Sequence, residues 1–132
     1  MTREVLFLDS SAVTKLVIVE PESAALAERL AGQVLVASAL LVTEVSRAVR
    51  RTVGRSHDSV LAEVLGLIDL VVVDRGILTA AADLEPASRR TLDAVHLASA
   101  LALGDRVDAL IGYDDRLLEA ACAAGLAVER PT

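Results

Sequence analysis

VLFLDSSAVTKLVIVE, residues 5–20, sets the pattern for the whole chain. Residues 5–8 form an apolar run that stops at an acid, Asp9, and Ser10 and Ser11 stand where a helix N-cap is expected, ahead of apolar residues at helical spacing. This is a strand followed by a helix, and the alternation continues outward from it. ESAALAERLA (22–31) reads as a second helix, Gly32 as a turn, and VLVA (34–37) as a buried strand. Ser38 then opens the long helical pattern ALLVTEVSRAVRRTV (39–53), which closes near Gly54. SHDSVLAEVLGLI (56–68) fits a further helix, DLVVV (69–73) a strand, and Asp74 caps the helix GILTAAADL (76–84). EPASRR (85–90) is a loop, Thr91 caps LDAVHLASALAL (92–103), and Gly104 ends it. VDALIGY (107–113) is a strand, DDRLLEAACAA (114–124) a helix ended by Gly125, and LAVE (126–129) a last short strand.

Uniformly apolar strands separated by amphipathic helices predict an α/β fold whose parallel sheet is covered on both faces. In such sheets ligands bind beyond the carboxyl ends of the strands. There are no internal repeats, low-complexity stretches or linkers, so residues 1–132 are read as one domain, a length at which roughly two-thirds of the unfolded surface can be buried.

Composition narrows the function. The chain is 54% hydrophobic with one Phe, one Tyr and no Trp, so the core is aliphatic and aromatic platforms for stacking bases are excluded. A net charge of −6 argues against a generic nucleic-acid coat, which needs clustered Lys and Arg. Carboxylates that hold divalent cations would mask their own charge, so the acidic total leaves a metal-dependent nuclease open. The positive charge is almost all Arg, with Lys15 the only Lys, and Arg suits bidentate phosphate contact. No apolar stretch reaches the roughly 18 residues of a membrane span, and the N-terminal run meets Asp9 before a signal-peptide core forms. The expected location is the cytoplasm, with no membrane contact. Cys122, in EAACAAG (119–125), reads as a buried small hydrophobe without chemistry.

Asp9 follows the first strand and Asp114 the strand ending at Tyr113, so both should emerge on one carboxyl edge. Asp93, in the first turn of its helix, should face that edge too. Near helix N-termini the macrodipole favours the ionised form by roughly 0.3–1 kcal/mol each. Glu44 lies between Val42 and Val45 in an apolar stretch, where a carboxylate is costly to bury without a partner. Oxygen ligands of this kind suit Mg²⁺ or Mn²⁺, and no pairing of Cys and His points to zinc. Each Asp taken alone also reads as a turn residue or helix cap, and Asp74 and Asp115 satisfy the same local description, so spacing does not select among them.

LDSSAVTKL (8–16), TEVSRAV (43–49), LDAVHLASAL (92–101) and YDDRLLEAA (113–121) together resemble, in order and rough spacing, the four acidic motifs of PIN-domain proteins, and within them the VapC-like toxins of toxin–antitoxin pairs. The resemblance implies a three-layer α/β/α sandwich with a central, mainly parallel sheet. It implies a metal-dependent endoribonuclease that inhibits translation, using Mg²⁺ with Mn²⁺ as a substitute, and it assigns Asp9, Glu44, Asp93 and Asp114 to the metal-binding catalytic site. Asp114 is the matching acid of the last motif because it directly follows the aromatic; Asp115 is its neighbour, and Asp74 returns to capping. One departure is Gly112, where the family often has Ser or Thr, so a hydroxyl that would serve the fourth acid or a bound water is missing. The implied partners are RNA, a small VapB-type antitoxin and a second copy in a homodimer, with the apolar faces around Leu16, Leu26 and Leu30 as the expected docking surface.

Other residues have two roles open. Arg47 and Arg51 share a helix face with Glu44 and reach toward a phosphate or are merely solvated. Arg89 and Arg90 stand at the mouth of the expected cleft. Ser10 and Ser11 support the site or cap the first helix. Lys15 reaches the cleft or lies at the surface. His96, one turn after Asp93 among apolar residues, reads as a packing or hydrogen-bonding His rather than a general base. The competing class is a binding module: a PIN fold that no longer cleaves, or a receiver-like phosphoacceptor. The receiver reading needs a late Lys, and none follows residue 15; a dehalogenase-like phosphatase needs an Asp where Ser11 stands.

Overall fold

The computed structural model describes residues 2–86 and 89–132. In chain order the elements are β1 (Val5–Leu8), α1 (Ser10–Val17), α2 (Ser23–Leu30), β2 (Val34–Ser38), α3 (Leu41–Val53), α4 (Asp58–Gly66), β3 (Asp69–Val71), α5 (Arg75–Asp83), α6 (Thr91–Leu103), a 3₁₀ turn (Gly104–Arg106), β4 (Ala109–Ile111), α7 (Asp115–Ala123) and β5 (Val128–Glu129). The strands form one sheet in the order β3-β2-β1-β4-β5, and every pairing is parallel.

Successive residues of β1 face opposite sides of the sheet. Leu6 and Leu8 pack with Val13, Leu26, Leu41, Val45 and Leu61 from α1 to α4, whereas Phe7 packs with Leu97, Leu110 and Leu117 beside α6 and α7. Ile77 and Ala81 of α5 close against Ala94, Val95 and Ala98 of α6. The result is the expected three-layer α/β/α sandwich. The chain winds from β1 to β2 and β3 on one side, then returns to place β4 and β5 on the other. The order therefore reverses between β1 and β4, which is where an open α/β sheet leaves a crevice for ligands.

Several local expectations change. α1 stops at Val17 instead of running to Glu20, because Ile18 is extended and Pro21 follows closely. Ser38 is the last residue of β2, not the cap of α3; it is fully buried and its hydroxyl accepts from the Leu40 N–H at 3.3 Å. Thr91 is the first residue of α6, and Arg90 holds the cap position without a side-chain bond. Asp74 does cap α5, accepting from the Ile77 N–H at 2.9 Å. Cys122 is exposed, contrary to the buried reading, because the inward stripe of α7 is Leu117, Ala120 and Ala121 and Cys122 turns off it. Leu26 (0% exposed) and Leu30 (5%) belong to the protein's own core, so they offer no docking face; Leu16 is only partly buried.

Charged contacts tie the layers together at the ends. Arg29 of α2 donates to both carboxylate oxygens of Glu129 on β5, at 2.7 and 2.9 Å, and pairs with Glu4 ahead of β1 at 2.9 Å. Lys15 does not reach the cleft: it pairs with Glu20 and Glu22 and lies 4.8 Å from the centre of the Tyr113 ring. Among the described residues no helix is long and apolar enough to cross a membrane. If Asp74 serves only as a cap, Asp74→Ala should lower unfolding stability by about 1 kcal/mol in urea titration. Any catalytic activity per folded molecule should be unchanged by that substitution.

Candidate active site

Asp9 begins where β1 ends, and its backbone N–H donates to the Ile111 carbonyl of β4 at 3.1 Å, so the two turns beyond these strands lie side by side. The Asp9 side chain is buried at 2% exposure and caps α1: its Oδ1 accepts from the Ala12 N–H at 2.9 Å and from the Ser11 hydroxyl at 2.6 Å. Ser11 Oγ in turn accepts from the Tyr113 N–H at 2.8 Å, bridging the turn after β1 to the turn after β4. Ser11 therefore supports the site, whereas Ser10 serves a different carboxylate. Gly112 lies in the same contact. A Cβ built there would stand 2.3 Å from Asp9 Oδ2 and 2.5 Å from its Cγ, so the absent side chain is the space that the Asp9 carboxylate fills.

Asp114 caps α7, its Oδ1 accepting from the Arg116 N–H at 3.0 Å and weakly from Leu117 at 3.5 Å. Asp115 points away: its side chain is 73% exposed and pairs with Arg130. Asp93 is half-buried in the first turn of α6. Glu44, in the first turn of α3, has the partner its burial demands. Its Oε1 accepts from the Ser10 hydroxyl at 2.7 Å and pairs with His96 Nε2. His96 is thus a buried hydrogen-bonding residue, as read from its apolar surroundings, but its bond goes to a site carboxylate. Its Nδ1 has no partner among the described residues.

Asp9, Glu44, Asp93 and Asp114 line one small cavity of about 90 Å³ together with Ser10, Ser11, His96 and Leu117. Asp74 and Asp115 do not. Arg89 and Arg90 line an adjoining groove that shares Asp93 with the acidic cavity. Arg116, which sequence reading passed over, lines it as well; its signal was the position two residues after the last motif acid, on the first turn of α7. Arg47 and Arg51 are exposed and line neither space.

Confinement sets the proton affinities. Burial pushes Asp9 above the ordinary 3.8 and the charge of Asp114 adds to this, against the opposing bonds from Ser11 and Ala12. Asp93 is raised by burial and then by Asp114. Burial acts to raise Glu44 too, but its bonds to His96 and Ser10 outweigh that and hold it below 4.5. The cavity holds desolvated acids that repel one another.

A family model described as the PIN domain matches residues 6–122. The chain belongs to the PIN domain family. Ribonuclease VapC46 of Mycobacterium tuberculosis is 43% identical over 128 residues, covering 96% of this chain and 98% of that protein. Ribonuclease VapC35 of the same organism is 39% identical over 131 residues, 96% of each chain. Among solved structures, Mycobacterium tuberculosis VapC20, a sarcin-ricin loop cleaving toxin, superposes with a TM-score of 0.74 at 18% identity, covering 96% of this chain and 99% of its own. Rickettsia felis VapBC2, bound to a DNA fragment from its promoter, gives 0.73 at 13% identity over 97% of this chain and 99% of that one. These place the protein with the VapC ribonucleases, and the structural likenesses support the same fold.

The donor set of this PIN domain suits a hard divalent cation. Asp9 Oδ2, Asp114 Oδ2 and both Asp93 oxygens carry no hydrogen bond among the described residues, and all open on one cavity. As the side chains stand, no three His, Cys, Asp or Glu side chains among the described residues are posed to hold an ion, and Glu44 is engaged by His96. A bound cation would offset the burial and, secondarily, the repulsion that raise Asp9 and Asp93.

Three outcomes test this arrangement. Gly112→Ala should keep the fold by circular dichroism yet weaken metal binding by 10-fold or more, on the order of the loss seen when a ligand's support is displaced. Asp9 and Asp93 have raised folded pKa values, so ionising them costs stability as pH rises; without metal, thermal stability should increase as pH falls from neutral toward 4.5. Glu44, held low, opposes this only below that window. Asp9→Asn should raise the metal-free melting temperature and abolish stabilisation by Mn²⁺.

Proposed function

We propose that this PIN domain is a metal-dependent endoribonuclease, the toxin component of a toxin–antitoxin pair that inhibits translation in the cytoplasm. The observation that carries the reading is the convergence of Asp9, Glu44, Asp93 and Asp114 on one cavity at the switch point of a parallel sheet. Bound there, Mg²⁺, or Mn²⁺ in its place, supplies Lewis acidity to the scissile phosphate and to the hydrolytic water. The chain's own residues do the rest. Asp9 and Asp114 would hold the cation through the oxygens their capping bonds leave free, Asp93 through either of its oxygens, and Glu44 is kept ionised by Ser10 and His96. His96 orients Glu44 rather than acting on substrate. Arg89 and Arg90 contact phosphates of the RNA on the side of Asp93.

The expected assembly is a homodimer regulated by a small VapB-type antitoxin. A shallow groove of about 410 Å³ lined by Leu16, Ala27 and Leu35, with exposed Leu67 at its edge, is the candidate apolar face for either contact. With labelled total RNA, cleavage should require Mg²⁺ or Mn²⁺ and should fall to background in both Asp9→Asn and Asp93→Asn. A folded wild type that binds Mn²⁺ but leaves every RNA class intact would overturn the nuclease reading in favour of a non-cleaving binding module.

A further inference from the structure

Beside the acidic cavity lies a second and larger space, a groove of about 410 Å³. Arg89 and Arg90 enter it from the loop before α6, Arg116 from the first turn of α7, and Asp93 forms the wall it shares with the acidic cavity. Ala120 and Ala123 of α7 give it an apolar lining. Three arginines from two separate segments therefore gather on one side of a protein whose net charge is −6. Among the described residues Arg29, Arg50, Arg55 and Arg130 engage in ion pairs; Arg89, Arg90 and Arg116 are among the arginines that do not. Arg89 is anchored through Nη2 to the Glu85 carbonyl at 2.8 Å, while its buried Nε has no acceptor among the described residues. Arg90 stands close enough to Asp93 for its charge to act on that carboxylate.

We propose that this groove is the strand-binding subsite of the nuclease: it takes the ribose-phosphate backbone of single-stranded RNA on one flank of the scissile phosphate, with Arg89, Arg90 and Arg116 contacting successive phosphates. The proposal rests on the ribonuclease reading and adds to it a specific path and Arg116. A polyanion approaching four carboxylates on an acidic protein is repelled unless positive charge lies along its route, and this groove is the one that supplies such charge next to Asp93. Planar guanidinium groups match phosphate oxygens in pairs. The apolar wall of Ala120 and Ala123 accepts sugar and base edges without the stacking that reads sequence, so the subsite is tolerant of base identity. Because the groove shares Asp93 with the acidic cavity, the occupant must continue into the place where its own charged group reacts. A strand of RNA does so; an acidic protein segment has no reason to.

Binding is read without cleavage in the Asp9→Asn background, by fluorescence anisotropy of a fluorescein-labelled single-stranded RNA titrated over a range of KCl. Arg116→Gln, Arg89→Gln and Arg90→Gln should each flatten the plot of log affinity against log salt by about 0.7, the value of one lost phosphate contact on a single strand. Glu119→Gln, which removes the other acid of the groove, should tighten binding, and Arg47→Gln and Arg51→Gln should change nothing. In the otherwise wild-type enzyme the groove variants should raise KM more than they lower kcat. The proposal is overturned if the groove variants leave the salt slope intact, if Arg47→Gln or Arg51→Gln produces the loss instead, or if polyglutamate displaces the RNA at equal charge concentration. Failure of the ribonuclease reading is separable: a wild type that cuts no RNA removes the nuclease, whereas one that cuts with unaffected groove variants removes only this subsite.

Discussion

The burial of Asp9 between two parallel turns is the constraint on which the site depends. β1 and β4 are neighbours only because the sheet order reverses between them, and that adjacency brings Gly112 against the Asp9 carboxylate and the Tyr113 N–H onto Ser11. A carboxylate removed from water is costly, and here the cost is offset by two hydrogen bonds that satisfy one oxygen and leave the other facing the cavity. The same geometry fixes Asp114 two residues beyond Gly112, at the head of α7. Substituting a larger residue for Gly112 would act on the carboxylate and not on the backbone, because the contact is side chain against missing side chain.

Capping and the proposed metal binding are compatible roles of the same acids rather than rival explanations of them. Asp9 and Asp114 each spend Oδ1 on the N–H groups that open a helix and keep Oδ2 for the cavity. The capping bond holds the carboxylate in one rotamer, and the helix dipole favours its charge. Glu44, in the first turn of α3 but not at its cap position, is held differently, by a hydroxyl and a buried imidazole. The cost is desolvation and mutual repulsion among the acids, which a bound cation would offset. Active sites commonly trade stability for such charge crowding.

Charge elsewhere is divided between the frame and the surroundings of the acidic cavity. Most basic residues paired with acids serve the frame: Arg29 joins α2 to β5, and Lys15 is locked between Glu20, Glu22 and Tyr113. The arginines beside Asp93 line the adjoining groove and make no ion pair among the described residues. An acidic protein can thus present a locally basic route to an acidic centre, which its net charge does not disclose.

The sequence by itself determined the alternation of strand and helix, the parallel sheet covered on both faces and the candidate acids, because apolar period and turn residues are local properties written along the chain. It also carried the family likeness that selected Asp9, Glu44, Asp93 and Asp114 from among acids with identical local surroundings. Tertiary structure decided what depends on neighbours distant in the chain. It gave Glu44 its His96 partner 52 residues away, turned Asp115 outward to Arg130, exposed Cys122, buried Leu26, and explained Gly112 by the carboxylate pressed against it. It brought Arg116 to Arg89 and Arg90 as well. The physical reason is the same in each case: hydrogen-bond partners, burial and charge proximity are set by which segments pack together, and packing is fixed only when the sheet order places β1 beside β4.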